Sequence, residues 1–414
     1  MRGRGLLAAL TLVAAAWPAS AEAQRTIRAH ADRSPGIAEA VRQARAGDRI
    51  VVTAGVYREP TIVVDRPLTI IGEPQAVLDG ANATHILRVE SDSVVVRGLT
   101  FQNVSVSHVE DRAAIRVAEI TGCRIEENRF ERAFFGIYLA GSVDCAISDN
   151  VLHGIGGTED VTGNGIHLWT ARGTKVRGNR ITGHRDGIYL EFAHGSHVSE
   201  NVSERNIRYG LHFMYADDCR YERNRFRANQ AGVAVMYTKR VTMIGNEFAD
   251  NRGPSSYGLL LKEIYDSRLD SNRFERNTTA LLADGATRLR ATGNLFADNG
   301  WAVKIMASTQ DAGFASNVFV RNTFDVATNS RGSSTALTGN YWDEYQGYDL
   351  DRDGRGDVPH RPVRLFSLIV ERHEPTMILL RSPMVALLDR AERILPSLTP
   401  GALADDAPLM RRPR

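Results

Sequence analysis

Between Gly187 and Tyr237 the chain writes one short strand three times, as GIYLEF, GLHFMY and GVAVMY. The copies begin at Gly187, Gly210 and Gly232, so they recur after 23 and then 22 residues. A unit of that length, with one apolar strand and one Asn-rich turn, is too small to bury its own hydrophobic face. Copies must stack, and the stack must be a solenoid.

Two independent markers follow the repeat. One is a turn with the pattern x-x-Asn-x-(large apolar), at Asn128, Asn150, Asn179, Asn201, Asn224, Asn246, Asn272, Asn294, Asn317 and Asn340. The other is the strand beginning at Gly136, Gly165, Gly187, Gly210, Gly232 and Gly258, degenerating at Ala280 and Ala302. Both step by 22 or 23 residues and both lengthen together, to 29 and to 26 residues. Two loops are therefore inserted, at about 154–162 and at 252–257. A repeat of this length fits three strands and three turns, one triangular coil of a right-handed parallel β-helix whose coils pair at about 4.8 Å. In GIYLE the second and fourth residues, Ile188 and Leu190, face in, and Tyr189 and Glu191 face out. The asparagines are assigned to structure, because stacked amides can satisfy one another inside the turns.

The ends differ from the array. Arg2 and Arg4, an apolar run from Leu6 to Trp17, and small residues at Ala19–Ala23 make residues 1–23 a secretion signal. Residues 24–60 form an N-terminal cap, with Ser34-Pro35 starting a helix that Gly47 stops. The β-helix spans 61–345. Residues 346–362 are Asp-rich, with Asp349, Asp351, Asp353 and Asp357 spaced like the opening of a calcium loop; a solvated acidic turn is the other reading. Residues 363–414 are helical in pattern, and read as part cap and part docking arm through Leu379, Leu380, Met384, Leu387, Leu388 and Ile394. The three cysteines, Cys123, Cys145 and Cys219, share one register with Thr174, Ser196 and Ser267. Stacked small turn residues are favoured there over a Cys123–Cys145 bridge.

One outward column changes from polar filler to chemistry. Its third position gives Tyr138, His167, Tyr189, His212, Ala234 and Leu260; its fifth gives Ala140, Trp169, Glu191, Met214, Met236 and Lys262. Thioether and imidazole ligands together suit Cu(I), so His212, Met214, Met236, Glu191 and His167 are candidate copper ligands. An apolar docking face along Trp169, Phe192, Tyr215 and Tyr237 is the competing reading, and the two are compatible. His194 and His197, in the turn after Glu191, are weaker candidates. A carbohydrate-active β-helix enzyme needs paired carboxylates on one groove. Asp217-Asp218 lie in a turn, and Glu191 and Asp284 are several coils apart, so a non-catalytic protein is expected. A net charge of +2 gives no nucleic-acid footprint.

The segments RYGLHFMY (Arg208–Tyr215), GVAVMY (Gly232–Tyr237), SYGLLLK (Ser256–Lys262), GNYWD (Gly339–Asp343), GDVPHRP (Gly356–Pro362), LDRAERILPSLTP (Leu388–Pro400) and PLMR (Pro408–Arg411) resemble the NosD family. The resemblance runs over nearly the whole chain. It implies a periplasmic β-helix that helps mature nitrous oxide reductase, NosZ, by supporting assembly of its copper–sulfide CuZ centre. The implied partners are NosZ, an inner-membrane ABC transporter (NosF ATPase, NosY permease) and the copper chaperone NosL. It identifies a pathway and labels no metal ligand here.

Overall fold

The computed structural model describes residues 24–413 except 83–84, 108, 331, 333, 381 and 395–402, so the expected signal falls outside the described residues. Its strands form three parallel sheets of 14, 12 and 13 members. Neighbours within a sheet come from successive coils: Ile188 pairs with Leu211, and Leu211 with Val233. The right-handed parallel β-helix read from the repeat is the architecture. Ile188 and Leu190 are fully buried, as their parity requires. The strand glycine is a packing requirement: a Cβ on Gly210 would lie 2.7 Å from the Gly232 carbonyl and 2.8 Å from Asn229 Nδ2.

The predicted asparagine ladder fills the corner between the 14- and 13-stranded sheets. Asn224 Oδ1 accepts from both the backbone N–H and the side-chain amide of Asn201, each at 2.9 Å. The second Asn201 amide hydrogen goes to the Val176 carbonyl at 2.9 Å. Each rung thus satisfies backbone and side-chain groups that no water reaches. A second ladder, not singled out in the sequence, fills the next corner through Asn206, Asn229, Asn251, Asn277, Asn299 and Asn322. Beside the first ladder an aromatic column runs inside the solenoid, with Phe248 and Phe274 stacked at 4.5 Å and Phe319 and Trp342 at 4.1 Å. In the same register Leu152, Ile181 and Ser203 replace the rings.

The ends are closed by different devices. Near the N-terminus α1 (Ile37–Gln43) packs against strand Ile62–Val64, which ends the 12-stranded sheet. Its start is not capped by Ser34. The Ser34–Pro35 peptide is cis, and the Glu59 carboxylate accepts from the N–H groups of Ile37 and Ala38, both at 2.8 Å. A carboxylate there also favours the helix dipole. Strands Thr26–Ala29 and Arg49–Val52 already belong to the 14-stranded sheet.

At the other end, α2 (Leu365–Arg372) and α3 (Pro383–Ile394) pack with Trp301, Phe324 and Ala327 through Phe366, Val370 and Val385. Leu380 and Leu388 pack against that cluster, whereas Ile378, Met384 and Leu387 stay exposed, at 89%, 61% and 68%. The segment after the helices returns to the solenoid, where Asp405 pairs with Leu337 and Leu409 with Tyr341. The tail thus covers the end of the solenoid twice, with its helices and with its last residues. No helix among the described residues is long and apolar enough to cross a membrane.

Cys123 and Cys145 form a disulfide, against the favoured expectation of unpaired turn residues. They occupy equivalent positions on adjacent coils, and their Cα atoms are 4.5 Å apart, within bridging range. Cys219 is free and buried, and burial pushes its thiol up to about 12.

Candidate functional site

The outer face of the 12-stranded sheet holds the singled-out column in register. Tyr138, His167, Tyr189, His212 and Ala234 are successive partners, as are Ala140, Trp169, Glu191, Met214 and Met236. The rings form a continuous contact column, with centroids 4.6 Å apart from Tyr138 to His167 and 4.7 Å from His167 to Tyr189, both tilted, and 4.5 Å from Tyr189 to His212, which are stacked. Adjacent coils lie at about the spacing of stacked flat rings. Each ring therefore covers its neighbour, and His167, Tyr189 and His212 are buried although they point away from the core.

Stacking also sorts the candidate ligands. Tyr189 stands between the two imidazoles, so His167 and His212 do not converge on one point. His167 belongs with Glu191, Nε2 to Oε2 3.6 Å, and its Nδ1 lies 3.4 Å from Asn164 Nδ2. The His167 contact holds the Glu191 carboxyl below the usual carboxylate range against its partial burial. His212 belongs with Met214 on its own strand and with Met236 one coil on. Tyr189 Oη donates to Met214 Sδ at 3.4 Å, and burial raises the phenol so that it remains a donor. The Nε2 atoms of both His167 and His212 are buried without a hydrogen-bond partner.

Two residues that the sequence reading passed over organise this face. Asp186 opens its strand at a position taken by Tyr209 and Ala231 in the next coils, and it is fully buried. Arg208 grips it with Nε to Oδ1 at 3.2 Å and Nη2 to Oδ2 at 3.1 Å, and Tyr209 N–H donates to Oδ1 at 3.3 Å. Burial opposes ionisation, but the His212 contact and the Arg208 charge outweigh it and hold the Asp186 carboxyl below its ordinary value. Arg208 Nη1 also lies 3.9 Å from Glu159 in the first inserted loop. The visible signal was an Asp and an Arg where most coils place apolar or small residues.

The face is framed on both sides. Both inserted loops leave the 13-stranded sheet and enter the 12-stranded one. At the opposite corner Phe192, Tyr215 and Tyr237 stack at 5.1 and 5.3 Å, all with left-handed backbone and all exposed. Their edges, with Trp169, form an exposed aromatic stripe beside Met214 and Met236.

The remaining candidates fall elsewhere. His194 Nδ1 accepts from Asp217 N–H at 3.2 Å, and His197 lies on the 14-stranded sheet, 3.2 Å from Glu222. Asp217 accepts from Thr238 and Lys239, and Asp218 pairs with Arg240 at 2.5 Å. Glu191 and Asp284 are four coil steps apart along the sheet. That is roughly 19 Å, too far for a glycosidase pair. Asp349, Asp351 and Asp353 bring ligand atoms within 4.8 Å of one another. Asp357 does not join them; it accepts from Leu350 N–H at 2.6 Å and closes the loop.

A family model described as periplasmic copper-binding protein (NosD) matches residues 153–347, and one described as right handed beta helix region matches 85–216. A Pseudomonas aeruginosa protein named probable ABC transporter binding protein NosD is 32% identical over 381 residues, covering 87% of this chain and 88% of its own. The protein of that name from Stutzerimonas stutzeri is 27% identical over 380 residues, covering 87% and 86%. Among solved structures, the catalytic unit of an α-1,3-glucanase from Streptomyces thermodiastaticus aligns with a TM-score of 0.64 at 15% identity, over 80% of this chain and 71% of that one. An exopolygalacturonase from Yersinia enterocolitica gives 0.62 at 9% identity, over 78% and 79%. At such identities the likeness is one of fold alone. The relatives match nearly end to end, and on that ground the chain belongs to the NosD family.

Proposed function

We propose that this protein is a non-catalytic periplasmic accessory of nitrous oxide reductase maturation. It handles copper on the outer face of its 12-stranded sheet and associates with an ABC transporter through its helical arm. One observation carries the copper reading: His212, a buried imidazole with an unpartnered Nε2, lies two residues before Met214 on one strand, and the next coil sets Met236 in register with Met214. Nitrogen and thioether donors favour Cu(I), and so weak a set suits cargo that must be passed on. His167 and Glu191, beyond Tyr189, form an accessory pair on the same face.

The aromatic stripe beside the methionines supports docking of a copper-exchanging protein. NosL as donor and NosZ as recipient are the partners that the family resemblance suggests. The names of the relatives support the transporter association, and the exposed Ile378, Met384 and Leu387 give it a surface.

Competition titration with a Cu(I) chelator tests the site. Replacing Met214 and Met236 together by Ala, or His212 by Ala, is expected to weaken Cu(I) binding at least about tenfold. Unchanged affinity in both variants would overturn the copper site while leaving the docking surface in place.

A further inference from the structure

We propose that Asp186 is the positioning residue of the copper site, holding His212 in the tautomer that leaves Nε2 free to bind metal. The proposal rests on the copper reading above and goes beyond it by separating the two imidazoles.

A fully buried carboxylate on this column is costly unless its oxygens are engaged. Oδ1 is engaged twice, by Arg208 Nε and by Tyr209 N–H. Oδ2 takes Arg208 Nη2 at 3.1 Å and faces His212 Nδ1 at 3.5 Å, while Arg208 Nη2 also lies 3.4 Å from that nitrogen. The His212 proton has two places to sit. On Nε2 it would be a buried N–H without an acceptor, because that atom has no partner. On Nδ1 it lies between the Asp186 carboxylate and the Arg208 guanidinium that this carboxylate neutralises, and the group left unpaired at Nε2 is a lone pair. Orphaned buried donors are rarer than orphaned acceptors, so the second arrangement prevails. A carboxylate behind the non-ligating nitrogen is also how metal-binding histidines are oriented and made more basic.

His167 is built the other way. Its Nδ1 faces an amide donor, Asn164 Nδ2 at 3.4 Å, and its Nε2 faces the Glu191 carboxylate at 3.6 Å. Its carboxylate neighbour is on the opposite nitrogen, so the proton is drawn to Nε2 although no hydrogen bond closes at that distance, and the nitrogen that would reach a metal is directed at Glu191. Of the two imidazoles on either side of Tyr189, His212 is the ligand and His167 is the neighbour directed at Glu191. Arg208 extends the arrangement to the first inserted loop through Glu159, so the loop and the imidazole share one charged contact chain.

The test is a double-mutant cycle with a spectroscopic readout. Long-range ¹H–¹⁵N correlation of the histidine side chains in the metal-free protein is expected to show His212 protonated on Nδ1 and His167 on Nε2. Asp186→Asn is expected to lower Cu(I) affinity about 10- to 100-fold, and to have no effect in the His212→Ala background. Because Asp186→Asn leaves Arg208 without its counterion, the paired variant Asp186→Asn/Arg208→Met is measured alongside and is expected to lose the same affinity. An Nε2-protonated His212 in the unmutated protein would overturn the proposal. So would an equal loss with and without His212, which would mark Asp186 as merely structural. A loss on His212→Ala with none on Asp186→Asn overturns the positioning role alone. No loss on His212→Ala overturns His212 as a ligand and this proposal with it.

Discussion

Asp405 Oδ2 accepts from both the backbone N–H and the side-chain amide of Asn340, at 2.8 and 3.0 Å, and so occupies the place the next asparagine of the ladder would take. The same carboxylate accepts from Gly339 N–H at 2.9 Å and Trp342 Nε1 at 3.1 Å, and it is fully buried. A repeat that satisfies each rung with the next leaves its last rung open, and this one is closed by a side chain 65 residues further on.

Asp405→Ala should therefore strip four buried donors of their acceptor at once. Each orphaned donor costs about 1–3 kcal/mol when water cannot replace the partner. Some water will enter the loosened end, so the expected loss is on the order of 3 kcal/mol, with Asp405→Asn losing less. Urea denaturation gives the total, and hydrogen exchange at Asn340 and Trp342 should show the last coil opening first. Slow exchange there in the Ala variant would mean another group closes the ladder.

The coil, its parity and the first asparagine ladder were legible because each is a local rule repeated many times. The second ladder kept the same spacing, but the residues after its asparagines vary, from Ile207 to Gln230 to Arg252, and only the amide recurs. Asp405 was not legible, since nothing local ties it to Asn340. The sequence placed His167 and His212 on the outer face correctly but not their burial, which comes from Tyr138 and Tyr189 filling the gaps between coils. Parity treats side chains one at a time, and stacking is a property of neighbours. The disulfide was left open for a similar reason. Shared register brings Cys123 and Cys145 together, but it would bring Thr174 equally close to Cys145 without any bond.

The arm can be tested apart from the cap. Deleting 376–414 would remove Asp405 and open the last coil, so loss of partner binding would prove little. Ile378→Asp, Met384→Asp and Leu387→Asp change exposed side chains. Surface changes of that kind usually alter stability by no more than about 0.5 kcal/mol each. The triple variant should melt close to the unmodified protein and lose at least about tenfold in affinity for the transporter in detergent-solubilised pull-downs or surface plasmon resonance. Full binding with normal folding would place the transporter contact elsewhere.

The Cys123–Cys145 bridge closes a loop of 22 residues. Constraining the unfolded chain over such a loop stabilises a fold by roughly 3 kcal/mol. Thermal unfolding of the unmodified protein should thus shift downward with reductant. Cys123→Ser/Cys145→Ser should start from the lower value and ignore reductant, since Cys219 is unpaired. A reductant-dependent shift that persists in the double variant would point to a different pairing.

Acid should loosen the C-terminal closure through His360. Its backbone N–H donates to the Asp405 carbonyl at 2.9 Å and its carbonyl accepts from Asp405 N–H at 2.8 Å, while its ring packs 5.0 Å from Trp342. Burial lowers the imidazole from 6.5 to about 4, with the Asp405 charge pulling the other way. Between those values the unfolded chain binds a proton that the folded one refuses, so stability should fall as pH drops from 6.5 and stop falling through this group near 4. The span corresponds to about 3 kcal/mol. His184, fully buried and lowered to about 3, adds its own loss over a wider range, so the informative quantity is a difference between proteins. His360→Gln, which cannot charge, should show a shallower decline than the unmodified protein between pH 6.5 and 4, measured by urea denaturation at several pH values. Exchange at Asn340 should become less acid-sensitive in parallel. Identical slopes in the two proteins would remove His360 from the closure and leave His184 as the acid-sensitive group.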